Sequence, residues 1–173
     1  IKGIGIAPED MTAELRLRAD RSVIDVKTLD TLRLTVDAMN KQTNIDFYTV
    51  SDTSIVSLTG LFDFTDEEKP TYDFEGLVTH INLFDFIQDS SMISDLNFTL
   101  FARGENFNPD YMNSNFVVSL NNSLLYEKEI DSTAFMFEIR QREDGAKILR
   151  FISDFTDVVA HGNFSFNTLV DLA

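Results

Sequence analysis

Cysteine is absent from the 173 residues, which excludes disulfides, structural cysteine metal sites and thiol catalysis while leaving the compartment open. Basic residues are scarce: 14 Lys and Arg stand against 29 Asp and Glu, a formal charge of −15. Phosphate binding needs a basic patch, and the few cations are scattered, so nucleic acid is excluded as a partner and an anionic membrane surface would repel the chain. No apolar run approaches the ~20 residues of a membrane span. Ile1 reads as lying inside an element, so any targeting segment is expected outside this sequence.

Catalytic signatures are missing too. Neither histidine, His80 or His161, has a nucleophile motif beside it, and no Gly-x-Ser-x-Gly, phosphate loop, dinucleotide fingerprint or His-Glu-x-x-His occurs. The acidic group Asp63, Asp66, Glu67 and Glu68 lacks the spacing and glycine of a calcium loop and reads as a solvated turn. Asn97, Asn121 and Asn163 each begin an Asn-x-Ser/Thr triplet, which matters only in a eukaryotic secretory route. The chain is expected to be no enzyme and to need no cofactor or metal.

Present instead is a stretch stated twice. Ser51, Asp52, Val56, Gly60, Phe62 and Phe64 recur as Ser153, Asp154, Val158, Gly162, Phe164 and Phe166, each pair 102 positions apart. Upstream, Gly3, Pro8 and Met11 return as Gly104, Pro109 and Met112 at an offset of 101, and so do Leu15, Leu17, Ser22, Val23 and Ile24 as Phe116, Val118, Ser123, Leu124 and Leu125. Leu32, Leu34 and Val36 fit Phe135, Phe137 and Ile139 at 103. The chain is therefore expected to be one continuous β-repeat domain over 1–173, with one repeat over about 1–103 and part of a second over about 104–173, and to be a piece of a longer repetitive protein.

Alternating apolar residues predict strands over 12–18, 22–28, 31–38, 44–50, 55–64 and 71–80, then one from Leu96, and in the second unit over 114–120, 123–130, 133–141, 146–153 and 156–166. A turn is expected at residues 8–11, and one short amphipathic helical turn at Leu83, Phe84 and Ile87. Asp144-Gly145 signals a hairpin. With no helical segment of ten residues or more, parallel crossovers are disfavoured; the prediction is an all-β antiparallel meander of about twelve strands with few short helical turns. A flat sheet of that width would expose an apolar face, so it must close, fold over or curl. Gly60 and Gly162, read as mid-strand equivalents, suit repeated bends or bulges.

A ladder of phenylalanines on successive strands carries the most information: Phe47, Phe62, Phe64, Phe98, Phe116, Phe135, Phe137, Phe151, Phe164 and Phe166. It is either a sandwich core or the lining of an apolar groove. The repeat favours the groove, because a trough extends strand by strand and a closed core does not. Leu15, Leu17, Leu34, Val36, Leu100 and Val118 join it as candidate lining residues.

The pattern Gly104-x-x-Phe107, a strand with Phe116, Val118 and Leu120, Asn122-Ser123, then Ser153-Asp154-x-x-Asp157 and Gly162-x-Phe164-x-Phe166, resembles the TamB members of the AsmA-like proteins of diderm bacteria. The stretch 72–86, with Ile81-Asn82-Leu83, resembles the segment that follows such a unit. The resemblance implies a sheet curled into a taco-like trough with an apolar interior, in the periplasm, belonging to a protein anchored to the inner membrane through regions outside this segment. It implies a non-enzymatic lipid conduit, shielding phospholipid acyl chains between inner and outer membranes, with an outer-membrane assembly partner engaged by other regions. The alternative function is a module that aids outer-membrane protein assembly by pairing strands to an exposed sheet edge.

Overall fold

The computed structural model describes residues 2–4, 12–24, 27–163 and 165. They form one eleven-stranded antiparallel sheet in which every strand pairs with its neighbours in chain order. The strands are β1 (Lys2–Ile4), β2 (Thr12–Ile24), β3 (Lys27–Met39), β4 (Gln42–Ser51), β5 (Ser54–Asp63), β6 (Thr71–Ile81), β7 (Ser94–Glu105), β8 (Asn113–Leu125), β9 (Lys128–Gln141), β10 (Lys147–Ser153) and β11 (Thr156–Gly162). The sheet is open: β1 and β11 do not meet to close a barrel. This is the expected meander, and its openness agrees with a curled trough. Between β6 and β7 the chain makes the expected helical turn, α1 (Phe84–Ile87), followed by a 3-10 turn at Ser90–Met92. No helix among the described residues is long and apolar enough to cross a membrane. The turn expected at residues 8–11 lies outside the described residues, as do Phe164 and Phe166.

Tight turns make the meander possible. Asn40 and Lys41 (φ +53° and +64°) close β3 on β4, and Tyr126 and Glu127 (φ +50° and +60°) close β8 on β9. Two consecutive positive φ values match the right-handed twist of the flanking strands. Asp144-Gly145 turns as its sequence predicts, with Gly145 at φ +82°.

Several expected boundaries are replaced. The polar runs at Asp20-Arg21 and Leu29-Asp30 are not turns: Asp20 pairs with Thr31 and Ser22 with Leu29, so the ladder runs straight past them. Arg21 holds φ +49° there, and Asn122, 101 residues on, holds φ +43°. At Asn122 the register of β8 against β7 shifts by one, while β8 keeps step with β9. These left-handed residues sit inside long strands, where their polarity imitates a loop. The expected strands 12–18 and 114–120 are thus parts of the longer β2 and β8, while those expected over 22–28 and 123–130 are not single strands: residues 22–24 end β2 and 27–28 begin β3, and residues 123–125 end β8 and 128–130 begin β9.

The glycine reading is corrected. Gly60 interrupts no register, since Asn44↔Leu61, Ile45↔Gly60 and Asp46↔Thr59 pair in unbroken sequence. Gly162 is no mid-strand equivalent but the last residue of β11, opposite Lys147. The irregularities fall instead at Val78/Ile81 and Asp95/Phe98. Asn97 spans them: its Oδ1 accepts from His80 N–H at 2.9 Å, its Nδ2 donates to the Asn122 carbonyl at 3.0 Å, and its own N–H reaches Ser123 Oγ at 2.9 Å.

The repeat offset in β9 is likewise corrected from 103 to 101. Leu15↔Val36 and Leu17↔Leu34 in the first unit correspond to Phe116↔Phe137 and Val118↔Phe135 in the second. The two residues of error are an even number, so the same side chains still share a face.

Candidate functional site: one apolar face

Residues directly opposite in an antiparallel ladder point to the same side of the sheet, so the pairings trace each face strand by strand. One row from β2 to β11 reads Leu15, Val36, Ile45, Gly60, Phe74, Ala102, Phe116, Phe137, Phe151, Val158. The next reads Leu17, Leu34, Phe47, Leu58, Gly76, Leu100, Val118, Phe135, then Ser153 and Thr156. A third holds Leu32, Thr49, Val56, Val78, Phe98 and Leu120, and a fourth Ala38, Thr43, Phe62, Tyr72, Gly104, Ser114, Ile139 and Leu149. Every candidate lining residue within these strands therefore lies on one face. Phe64, just past β5, joins it: its N–H bonds to the Lys41 carbonyl at 2.7 Å, and its ring lies 6.3 Å from that of Phe62.

Opposite faces differ in chemistry. A row on the other side reads Asp37, Asn44, Leu61, Asp73, Arg103, Asn115, Glu138 and Arg150. Its charges pair along the surface: Arg103 Nε donates to Asp73 at 2.9 Å, and Arg150 Nη2 to Asp157 Oδ2 at 2.8 Å. The Arg150 guanidinium holds the Asp157 carboxyl below the usual carboxylate range, chiefly through that hydrogen bond. A depression of about 910 Å³ lies on this polar face over β5–β9. It is an open hollow whose ionic side chains are engaged in surface pairs, and it gathers no convergent catalytic groups. The apolar face is the better candidate site because its chemistry is continuous over ten strands.

Among the described residues no second layer covers that face. Among the described residues only Ala38, Tyr72 and Ile139 are buried apolar side chains, and no large side chain is fully buried. Leu17 is 50% exposed. The accessible surface is 11757 Å², where a compact monomer of 19.7 kDa has about 8,600 Å². A sandwich core would fully bury large side chains between two layers; here the ring contacts join side chains of the same or nearby strands and the loop between β7 and β8. The described phenylalanines of the ladder are half-buried among their neighbours in the sheet, a wall without a facing layer among the described residues.

One region is packed. Tyr72 and Phe116, two strands apart, bring their ring centroids to 6.5 Å, less than the ~9.6 Å of two strand spacings. Gly104, on the intervening β7 and opposite both Tyr72 and Ser114, leaves the room: a Cβ there would lie 2.7 Å from Tyr72 Oη and 2.5 Å from Ser114 Oγ. Tyr72 Oη and Ser114 Oγ share a short hydrogen bond above it. Phe107, from the loop between β7 and β8, adds its ring to Phe62, Phe64 and Tyr72 at 5.5, 5.9 and 5.6 Å. Its place in Gly104-x-x-Phe107 marked it in the sequence, but not as part of the lining.

Among the described residues no group of three or more potential ligands is placed to hold a metal ion. The acidic turn disperses its charges: Asp66 Oδ1 accepts from the N–H groups of Glu68 and Lys69, and Glu67 pairs with Lys41 at 2.6 Å. His80 Nδ1 sits 3.0 Å from Asp95 Oδ1 at the exposed bulge. Comparison with protein-family models, curated proteins and solved structures finds no match for the chain.

Proposed function

We propose that the chain is a segment of a non-enzymatic lipid conduit, of the AsmA-like, TamB-related kind that its sequence resembles, acting in the periplasm of a diderm envelope. The observation that carries the reading is the apolar face itself, without a facing layer among the described residues. Nine steps between the ten strands of the wall, at about 4.8 Å each, span about 43 Å, whereas one acyl chain reaches across only half of a ~30 Å hydrocarbon layer, so the wall has room for several chains. Transfer of a methylene from water onto such a wall is favourable by about 0.8 kcal/mol. Head groups remain at the rims, where the turns are polar. No residue performs chemistry, and the phospholipid acyl chains are the partner.

Changing Phe47 and Phe135 together to Asp tests it. Both belong to the same row of the open face and lack an opposing layer among the described residues, so the sheet is expected to keep its circular dichroism while phospholipid seen by mass spectrometry in the purified wild type is lost. A folded double variant that still carries phospholipid, or a wild type that never does, overturns the reading.

A second reading, capture of outer-membrane strands by edge pairing, draws on β11. Val158 and Val159 are 55% and 54% exposed on opposite faces, and among the described residues no strand pairs with its outer edge. Protection of β11 amides from hydrogen exchange by an added amphipathic β-strand peptide would favour it; unchanged exchange counts against it.

A further inference from the structure

The loop between β7 and β8, residues 106–112, reaches much further than a link between adjacent strands requires. At its start the Asn106 N–H bonds to the Pro70 carbonyl at 2.7 Å, tying it to the entry of β6. Phe107 then lies back toward β5, on Phe62 and Phe64. In the other direction Asp110 accepts from Lys147 Nζ at 2.6 Å, at the start of β10, and from Ser165 Oγ at 2.6 Å. Between these anchors Asn106 and Asn108 side chains accept from the N–H groups of Asn108 and Asp110. Such local turns shape the segment without help from the sheet.

The Lys147 side chain is 7% exposed and that of Asp110 16%. Lys147 occupies the apolar side of the ladder, two residues before Leu149. A cation buried there draws on the carboxylate beside it, because a charge held away from water is costly without close pairing. Phe107 itself is 42% exposed while Tyr72 beneath it is 7% exposed.

We infer that the loop 106–112 is a strap across the rim of the trough: Phe107 occupies a strip of apolar wall over β5 and β6 that an acyl chain would otherwise cover, and the Lys147–Asp110 pair latches it. The role of acyl chain as competitor rests on the lipid-conduit reading; the strap as a latched cover does not. Lipid then has the open rows of Leu17, Phe47 and Phe135, and reaches the Phe62–Tyr72 strip only when the latch is released.

The chain contains no tryptophan, so single reporters are clean. Phe62→Trp places one under the strap, the covered reporter, and Phe47→Trp places one on the open wall, the open reporter. Each is measured alone and combined with Phe107→Ala, which removes the cover, or Asp110→Asn, which breaks the latch. Acrylamide, a water-soluble quencher, decides the strap: the covered reporter is expected to be poorly quenched in the parent and to rise to the level of the open one in either combination. A covered reporter already quenched as strongly as the open one, or unchanged by both substitutions, overturns the strap. Vesicles of phosphatidylethanolamine with brominated acyl chains decide the competition: the open reporter is expected to be quenched in every background, the covered one only with Phe107→Ala or Asp110→Asn. Quenching of the covered reporter by these vesicles with the strap intact overturns the competition, and absence of quenching at the open reporter overturns the conduit reading while the acrylamide result stands.

Discussion

Gly60 lies directly beneath the ring of Phe74, its neighbour across the β5–β6 ladder: a Cβ on Gly60 would sit 2.0 Å from Phe74 Cδ1. The glycine makes room for a ring rather than for a bend. Gly60→Ala forces that ring off its place, and overpacking of this kind costs about 1–3 kcal/mol, against a backbone gain of about 0.5–1 kcal/mol for replacing a strand glycine. The midpoint of urea unfolding is expected to fall. A rise would mean that Phe74 moves aside without penalty on the open face.

Gly104→Ala is expected to cost more than Gly60→Ala. Its Cβ would meet not only the Tyr72 and Ser114 hydroxyls but also the Asn113 carbonyl oxygen at 2.7 Å, and backbone cannot swing away as a ring can. Comparing the two variants in the same denaturant series checks the order; equal losses would remove the distinction drawn between ring and backbone.

Asn97→Ala removes the side-chain acceptor of the His80 N–H and the donor to the Asn122 carbonyl. Left without partners, such backbone groups cost about 1–3 kcal/mol each when they are away from water, and both positions are partly solvated, so the low end applies. Faster hydrogen exchange is expected at His80, whose N–H loses its acceptor, and is expected to stay confined to the bulge. Exchange unchanged there would show that water replaces Asn97 fully.

Asp157 supplies a pH test. Its folded carboxyl titrates below the ordinary value because Arg150 donates to it, so the stability it contributes is present above the unfolded carboxylate pKa and is lost as pH falls through the depressed folded one. Carboxyl titration by NMR is expected to show Asp157 returning toward the usual range in Arg150→Met, with a weaker acid dependence of β11 exchange. An unmoved titration would refute the pairing in solution. The pair is exposed, so added salt should weaken the shift.

Which face each side chain occupies was determined by the sequence alone. Leu15 and Leu17, Phe116 and Val118, Phe135 and Phe137 declare it through a period of two, a local property that survives any even slip of register. The antiparallel meander follows from short breaks and the absence of helical periods. The offset of 103 read for β9, by contrast, matches Phe137 to the wrong residue of the first unit without moving it off the wall, because rows are set by turn length and pairing, not by alternation. Only the tertiary structure decided that the strands run through Asp20-Arg21 and Asn121-Asn122, since a left-handed φ at a non-glycine residue leaves no mark in polarity. It alone placed Phe74 over Gly60 and carried Phe107 onto Phe62, contacts between residues separated by loops whose reach depends on where Pro70 and Lys147 offer an anchor. The openness of the wall was likewise undecidable from pattern: a half-buried strand in a sandwich and a strand of an open trough have the same alternation, and only the lack of fully buried large side chains among the described residues separates them.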